Sequence, residues 1–349
     1  MTKQRFHSSR SIVFLLSVLI VVPVKTMAQT GGDQVWIEPA APSNGEQVFA
    51  PRSLIRKRGS VQSFDEKAFV FIPQGETDAI RIVSARVIWV EPEFRDAATV
   101  AAVRAFRDGK TEQSIPLLLD AITSGPPVWQ AQWLSMHLWQ AAFEAQKFPA
   151  TLELVKQLDA RPLPPIILGG LPIQWSHERM PVAAAEAART VLATALPASR
   201  NAAERLPASN DLGAMGLAAA SWLLSEPDNR MAMAALRELS LQKERPMLAQ
   251  MATALLWRIA PPPDVIANHA LWTKKIDTMP MTLAPGPNFL VAERLEAAGK
   301  PEEALPLFLS VAVASPRPHV VTRSARLRSV ELLKQLQLPG EAAKLDDNE

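Results

Sequence analysis

The sequence predicts a mainly α-helical protein: an α-helical hairpin solenoid preceded by a small antiparallel β-module. Three observations lead there. From about residue 94 onward, apolar residues recur at helical spacing in short blocks, with Ala and Leu dominant in the second half. Residues 55–93 instead carry β-branched and aromatic runs separated by turn formers. One phrase is also written twice: GKTEQSIPLLLDAITSGPP starts at Gly109, and GKPEEALPLFLSVAVASPRP starts at Gly299, 190 positions later.

The 349 residues suffice for two or three compact units or one extended solenoid, and with 48% hydrophobic and 21% charged residues the chain can build real cores. It has no cysteine, which excludes disulfides and thiolate chemistry.

The N-terminal 28 residues have the layout of a cleaved export signal. Lys3, Arg5 and Arg10 precede an apolar stretch from Ile12 to Val22, and Thr26-Met27-Ala28 supplies small residues for cleavage after Ala28. Retention as an anchor is the alternative; no later stretch approaches the length of a membrane span. The expected location is the periplasm or envelope of a bacterium. Cleavage would remove four of the 37 basic residues and no acidic one. That leaves 33 against 35 and turns the formal charge of +2 into −2, which offers no footing for nucleic-acid binding.

Residues 29–54 are rich in turn formers and read as an exposed leader. In the β-module the expected strands are Ser60–Phe64, Ala68–Ile72, Ala79–Val83 and Arg86–Val90. Val61 and Ser63 should share one face, with Gln62 and Phe64 on the other. The strand spacing resembles SH3-like or Sm-like small barrels. Helices are expected from FRDAATVAAVRAFRDGK to PATLELVKQLDA within residues 94–160. Residues 161–180, RPLPPIILGGLPIQW and its flank, read as a Pro/Gly-rich linker. Residues 181–280 give divergent helices at Val182–Ala195, Leu212–Ser225, Asn229–Leu241 and Met247–Ile259. A last block spans 286–345.

The doubled phrase resembles a tetratricopeptide (TPR) repeat, in which two antiparallel helices share a set of packing positions. With Gly299 as the inter-helix glycine, Ala292 and Ala304 fall on the two small positions. Leu295 and Phe308 fall on bulky ones, Pro316 on the closing proline, and Val311 replaces a small residue. With Gly109 so placed, Ala102, Ser114, Leu118, Ala121 and Pro126 match, and Ala105 replaces a bulky residue. Gln146 and Gln337 mark weaker second copies. The resemblance covers about 95–160 and 286–345. It implies a left-handed glycine cap at each bend and close helix approach at the small residues. Pro116 and Pro306 should then lie near the first turn of their helices.

The resemblance also implies a concave, peptide-holding face. On the helix from Val128 to Gln146, Leu134, Leu138, Ala141, Ala142 and Ala145 follow the packing side, and Trp129, Trp133, Met136, Gln140 and Phe143 fall on the other. Either these five line a peptide groove, or the β-module or linker covers them as core. The basic clamp that some TPR domains use for peptide C-termini is absent, since Met136 and Gln140 occupy its positions.

Catalytic signatures are few. Gly109-Lys110-Thr111 lacks the first glycine of a phosphate loop, position 104 being Arg. Ser240 and Lys243 match a nucleophile dyad by spacing only. His137, His177, His269 and His319 are scattered and suggest no metal site. No cofactor is implied. Arg323, Arg326, Arg328 and Lys334 form a basic face, either solvated or suited to an acidic partner. The expected function is a non-catalytic scaffold for a protein or peptide. The alternatives are a hydrolase-type enzyme using Glu91, Glu93 and Asp96 at the junction of β-module and solenoid, or a structural envelope component.

Overall fold

The computed structural model describes residues 32–39, 54–161, 163–202, 212–313 and 320–346, with the side chains of 197–202 excepted. The stretch read as an export signal and most of that read as a leader lie outside these residues, as do Pro316 and His319.

The front of the chain is one five-stranded antiparallel sheet. Its strands are β1 (Asp33–Ile37), β2 (Ile55–Phe64), β3 (Ala68–Pro73), β4 (Ile80–Val83) and β5 (Val87–Glu91), in the order β4-β3-β2-β1-β5. Four strands fall where the sequence places them. The fifth, β1, comes from the stretch read as leader and sits between β2 and β5, pairing with both. Its alternation buries Asp33, Val35 and Ile37. The Asp33 carboxylate accepts from the backbone N–H of Val61 (3.0 Å) and of Glu93 (2.9 Å), so it ties β2 to the chain leaving β5. Burial pushes its pKa up against those two bonds. The expected facing of Val61 and Ser63 is corrected. A register shift between them resets the alternation, so Val61 and Phe64 are buried while Ser63 is exposed.

Fourteen helices follow among the described residues. The first four are α1 (Ala97–Arg107), α2 (Thr111–Thr123), α3 (Val128–Glu144) and α4 (Phe148–Leu158). A short α5 (Pro165–Gly169) leads to α6 (Val182–Ala202), α7 (Gly213–Leu223), α8 (Arg230–Ser240) and α9 (Pro246–Trp257). The rest are α10 (Pro262–Ile276), α11 (Pro285–Ala297), α12 (Pro301–Val313), α13 (Thr322–Gln335) and α14 (Pro339–Asp346). Asp96 starts the series by accepting from Thr99 N–H (2.6 Å). Six helices begin with proline, a residue whose missing N–H costs nothing there. Helix α10 arises this way from Pro262, within a proline cluster that reads locally as a breaker.

Helices stack on their chain neighbours: α1 to α4 in turn, α4 on α6 and α7, α7 on α8, α8 on α9, α9 on α11, and α10 to α14 in turn. This is a helical-repeat arrangement. One continuous core runs from the sheet to Ala342.

The four bends named in the sequence share one geometry. Gly109, Gln146, Gly299 and Gln337 have φ of 69°, 57°, 75° and 62°. At each, the next residue donates back across the turn, Lys110 to Ala105 O, Lys147 to Ala142 O, Lys300 to Leu295 O and Leu338 to Leu333 O, at 2.8–3.0 Å. These are Schellman caps. The small positions Ala102, Ser114, Ala292 and Ala304 are fully buried.

Pro116 and Pro306 correct one expectation. Each is the sixth residue of its helix, α2 or α12, one turn deeper than predicted. Each is exposed, and so is the residue four earlier, Glu112 or Glu302, whose carbonyl loses its donor. Water can serve that carbonyl, so the helix continues.

Candidate functional site

Helix α3 carries the aromatic stripe, and the structure divides it. Trp129, Trp133 and Met136 are buried. The Trp133 indole donates to Val90 O of β5 (3.1 Å), and its ring meets Trp89 at 6.1 Å and Phe94 at 5.7 Å. All three are buried, Trp133 under the sheet and Met136 beside Gly170, so they do not form an open groove. Gln140 and Phe143 are half-buried. Phe143 joins Phe148 and Trp222 in a ring cluster between α3, α4 and α7.

The other cover is the segment read as a linker. Leu163, Ile166, Ile167, Leu168, Leu171, Ile173 and Trp175 are all buried, which overturns the linker reading for residues 163–175. The chain here behaves as a strap along the inner face of the helix stack. From Gly170 it is held through its backbone. Trp139 Nε1 donates to Gly170 O (3.0 Å), Trp222 Nε1 to Pro172 O (2.6 Å) and Arg258 Nη1 to Gln174 O (2.8 Å). The bonded carbonyls belong to residues 170, 172 and 174; Leu171, Pro172, Ile173 and Trp175 are buried, and a tight turn, Ile173 N–H to Leu171 O at 2.7 Å, bends the non-helical run between them. Gln174 N–H donates to Ser221 Oγ (3.0 Å) and His177 N–H to Glu293 (3.2 Å), while His177 O accepts from Ser225 Oγ (2.9 Å). Two glycines allow the close approach. A Cβ on Gly170 would sit 2.6 Å from Met136 Sδ, and one on Gly286 would collide with the Trp175 indole.

Beside the strap lies a cavity of about 540 Å³. It is bounded by β5, the end of α1, one side of α3, the strap, the segment before α11, and Val320. Met136, Gln140 and Phe143 of the predicted stripe line it, with Trp89, Phe106 and Met281. His137 faces Gln140 (Nδ1 to Oε1, 3.1 Å) and stacks on Phe106 at 4.7 Å.

Two of the junction carboxylates hold structure together: Glu91 pairs with Arg107 and accepts from Trp89 Nε1 (3.2 Å), and Asp96 caps α1, while exposed Glu93 contributes its backbone N–H to Asp33. Glu144 is the carboxylate among the cavity's lining residues, and it accepts from Thr111 Oγ1 (3.2 Å). The basic face on α13 is partly neutralised, since Arg328 pairs with Glu331 (3.0 Å) and Glu296 (3.8 Å).

A polar cluster that no motif announces sits where the strap ends. Arg258 is 2% exposed and bonds Gln174 O, Ser221 O and Ser225. Burial lowers its pKa to about 10. Burial raises that of Glu293 to about 7, against the His177 N–H bond and the charges of Arg258 and Arg328. Burial, with Arg294 and Arg258 nearby, lowers that of His177 to about 4. The cluster joins residues from 174 to 293, and only the fold brings them together. Among the described residues no three or more His, Asp or Glu side chains are grouped to hold a metal ion, and His269 instead meets Glu303 at 3.0 Å.

The chain matches no family model, no curated protein and no solved structure. The site therefore has to be read from its own geometry. That geometry offers a face that holds a non-helical backbone segment and a mainly apolar cavity whose wall includes the buried, unpartnered Thr282 hydroxyl. Among the described residues no helix is long and apolar enough to cross a membrane.

Proposed function

We propose that this protein is a non-catalytic scaffold of the bacterial envelope that holds a protein or peptide partner on the inner surface of degenerate TPR-like helix pairs. The strap is the observation that carries the reading. Trp139 of α3, Trp222 of α7, Arg258 just past α9 and Glu293 of α11 bond successive backbone groups of a non-helical segment, which is how a helical stack can grip a peptide. The strap itself is too deeply buried to be the exchangeable ligand. Seven large apolar side chains at roughly 1.5–3 kcal/mol each hold it in place. The partner's place is the surface left beside it, at the half-buried rim formed by Gln140 and Phe143. The apolar lining of the cavity, and the structural engagement of the Glu91 and Asp96 carboxylates, favour binding over acid–base catalysis.

The test is photo-crosslinking in the organism that makes the protein, with a benzophenone residue at Gln140 or, as a control, at exposed Leu271. The scaffold reading expects a discrete polypeptide adduct from position 140 and none from 271. Adducts from neither position, or the same ones from both, would count against it and favour a purely structural role.

A further inference from the structure

We propose that the cavity behind the rim is a binding site for a compact, uncharged, apolar small molecule, a fused ring system or a short acyl chain. This goes beyond the scaffold reading, which places a polypeptide on the rim.

Size and lining come first. A space of about 540 Å³ lies within the range of small-molecule sites. Thioethers from Met136 and Met281 adapt to irregular apolar shapes, and Trp89, Phe106 and Phe143 add ring surfaces.

Polarity then selects the ligand. Of the polar side chains that reach the cavity, Thr282 keeps a buried hydroxyl without a hydrogen-bond partner, room for one neutral polar group on the guest, and the others are engaged. His137 meets Gln140, Arg107 pairs with Glu91, and Glu144 accepts from Thr111. A charged guest would lose its hydration, while Arg107 is already matched by Glu91 and the Glu144 carboxylate is exposed to water. A peptide would bring an N–H and a C=O for every residue. The strap shows what that requires, since residues 170–177 draw on Trp139, Trp222, Ser221, Arg258, Glu293 and Ser225. The cavity wall offers no such series, and each unmatched backbone group costs about 1–3 kcal/mol. An apolar body without backbone avoids both costs.

The probe is N-phenyl-1-naphthylamine, whose fluorescence rises in apolar surroundings, titrated into the purified full chain. The expected result is saturable enhancement, with affinity reduced at least tenfold in Gln140→Trp. Val320→Trp, at an exposed position on the cavity wall, should act the same way and guards against misfolding of the first variant. Leu241→Trp, exposed and away from the cavity, should bind like wild type. Decanol should displace the probe at a concentration at least tenfold lower than decanoate. The proposal fails if wild type gives no enhancement, if both cavity variants bind normally, if Leu241→Trp loses binding equally, or if decanoate competes as well as decanol. A failure here alongside a polypeptide adduct at position 140 would leave the scaffold reading standing.

Discussion

Replacing Glu293 by glutamine should stabilise the protein in alkaline solution and do so less in acid. The Glu293 carboxyl has its ordinary pKa of 4.5 raised to about 7 in the folded state, mainly by burial. An acid whose folded pKa is raised favours folding when protonated. Its contribution is full below pH 4.5 and is lost as pH climbs through about 7. At roughly 1.4 kcal/mol for each pH unit, the interval corresponds to about 3 kcal/mol. Glutamine keeps an oxygen to accept from His177 N–H and carries no charge, so it imitates the protonated acid at every pH. Urea denaturation of wild type and Glu293→Gln at pH 5, 7 and 8.5 measures the difference. It should be about 1 kcal/mol at pH 5 and about 3 kcal/mol at pH 8.5, in favour of the variant at both. The titration of His177, near pH 4, is common to both proteins and drops out of the comparison. A difference that does not vary with pH, or a less stable variant at pH 8.5, would refute the placement of Glu293 in a poorly solvated cluster.

Three further substitutions probe the architecture. Gln146→Gly relieves a side chain held at φ 57° and should raise stability by about 1 kcal/mol, while Gly109→Ala should cost about as much, both read by thermal melting. Trp222→Phe removes the donor to Pro172 O and should cost about 1–3 kcal/mol in a denaturant titration. Gly286→Ala drives a methyl into the Trp175 indole and should cost about 1–3 kcal/mol, whereas Gly340→Ala, with open space around it, should be nearly neutral.

What could be read in the sequence was local. The bends at Gly109, Gln146, Gly299 and Gln337 follow from helix period and cap chemistry, and β2 to β5 follow from β-branched runs between turns. What could not be read depended on distant partners. Strand β1 is five residues long, and only its pairing with β2 and β5 distinguishes it from the turn-rich stretch around it. The strap shows prolines and glycines to a local reading. Its signal was the density of Leu, Ile and Trp among them, a poor composition for a solvated linker. Whether the stripe on α3 is groove or core depended on where Val90, Phe94 and Gly170 end up, and neither helix period nor resemblance supplies that. Gln140 and Phe143 reach the cavity because the sheet and strap leave that corner uncovered. Arg258, Glu293 and His177 had no signature because only the superhelix brings them together.

Amide hydrogen exchange across residues 163–178, followed by mass spectrometry on the intact protein, is the most direct test of the inner-face account. If the strap is core, with Gln174 N–H on Ser221 and His177 N–H on Glu293, its peptides will exchange as slowly as those of fully buried α7. If they exchange as fast as the exposed turn at Gln74–Asp78, the segment is a solvated linker, and both the ladder and the cavity it walls are wrong.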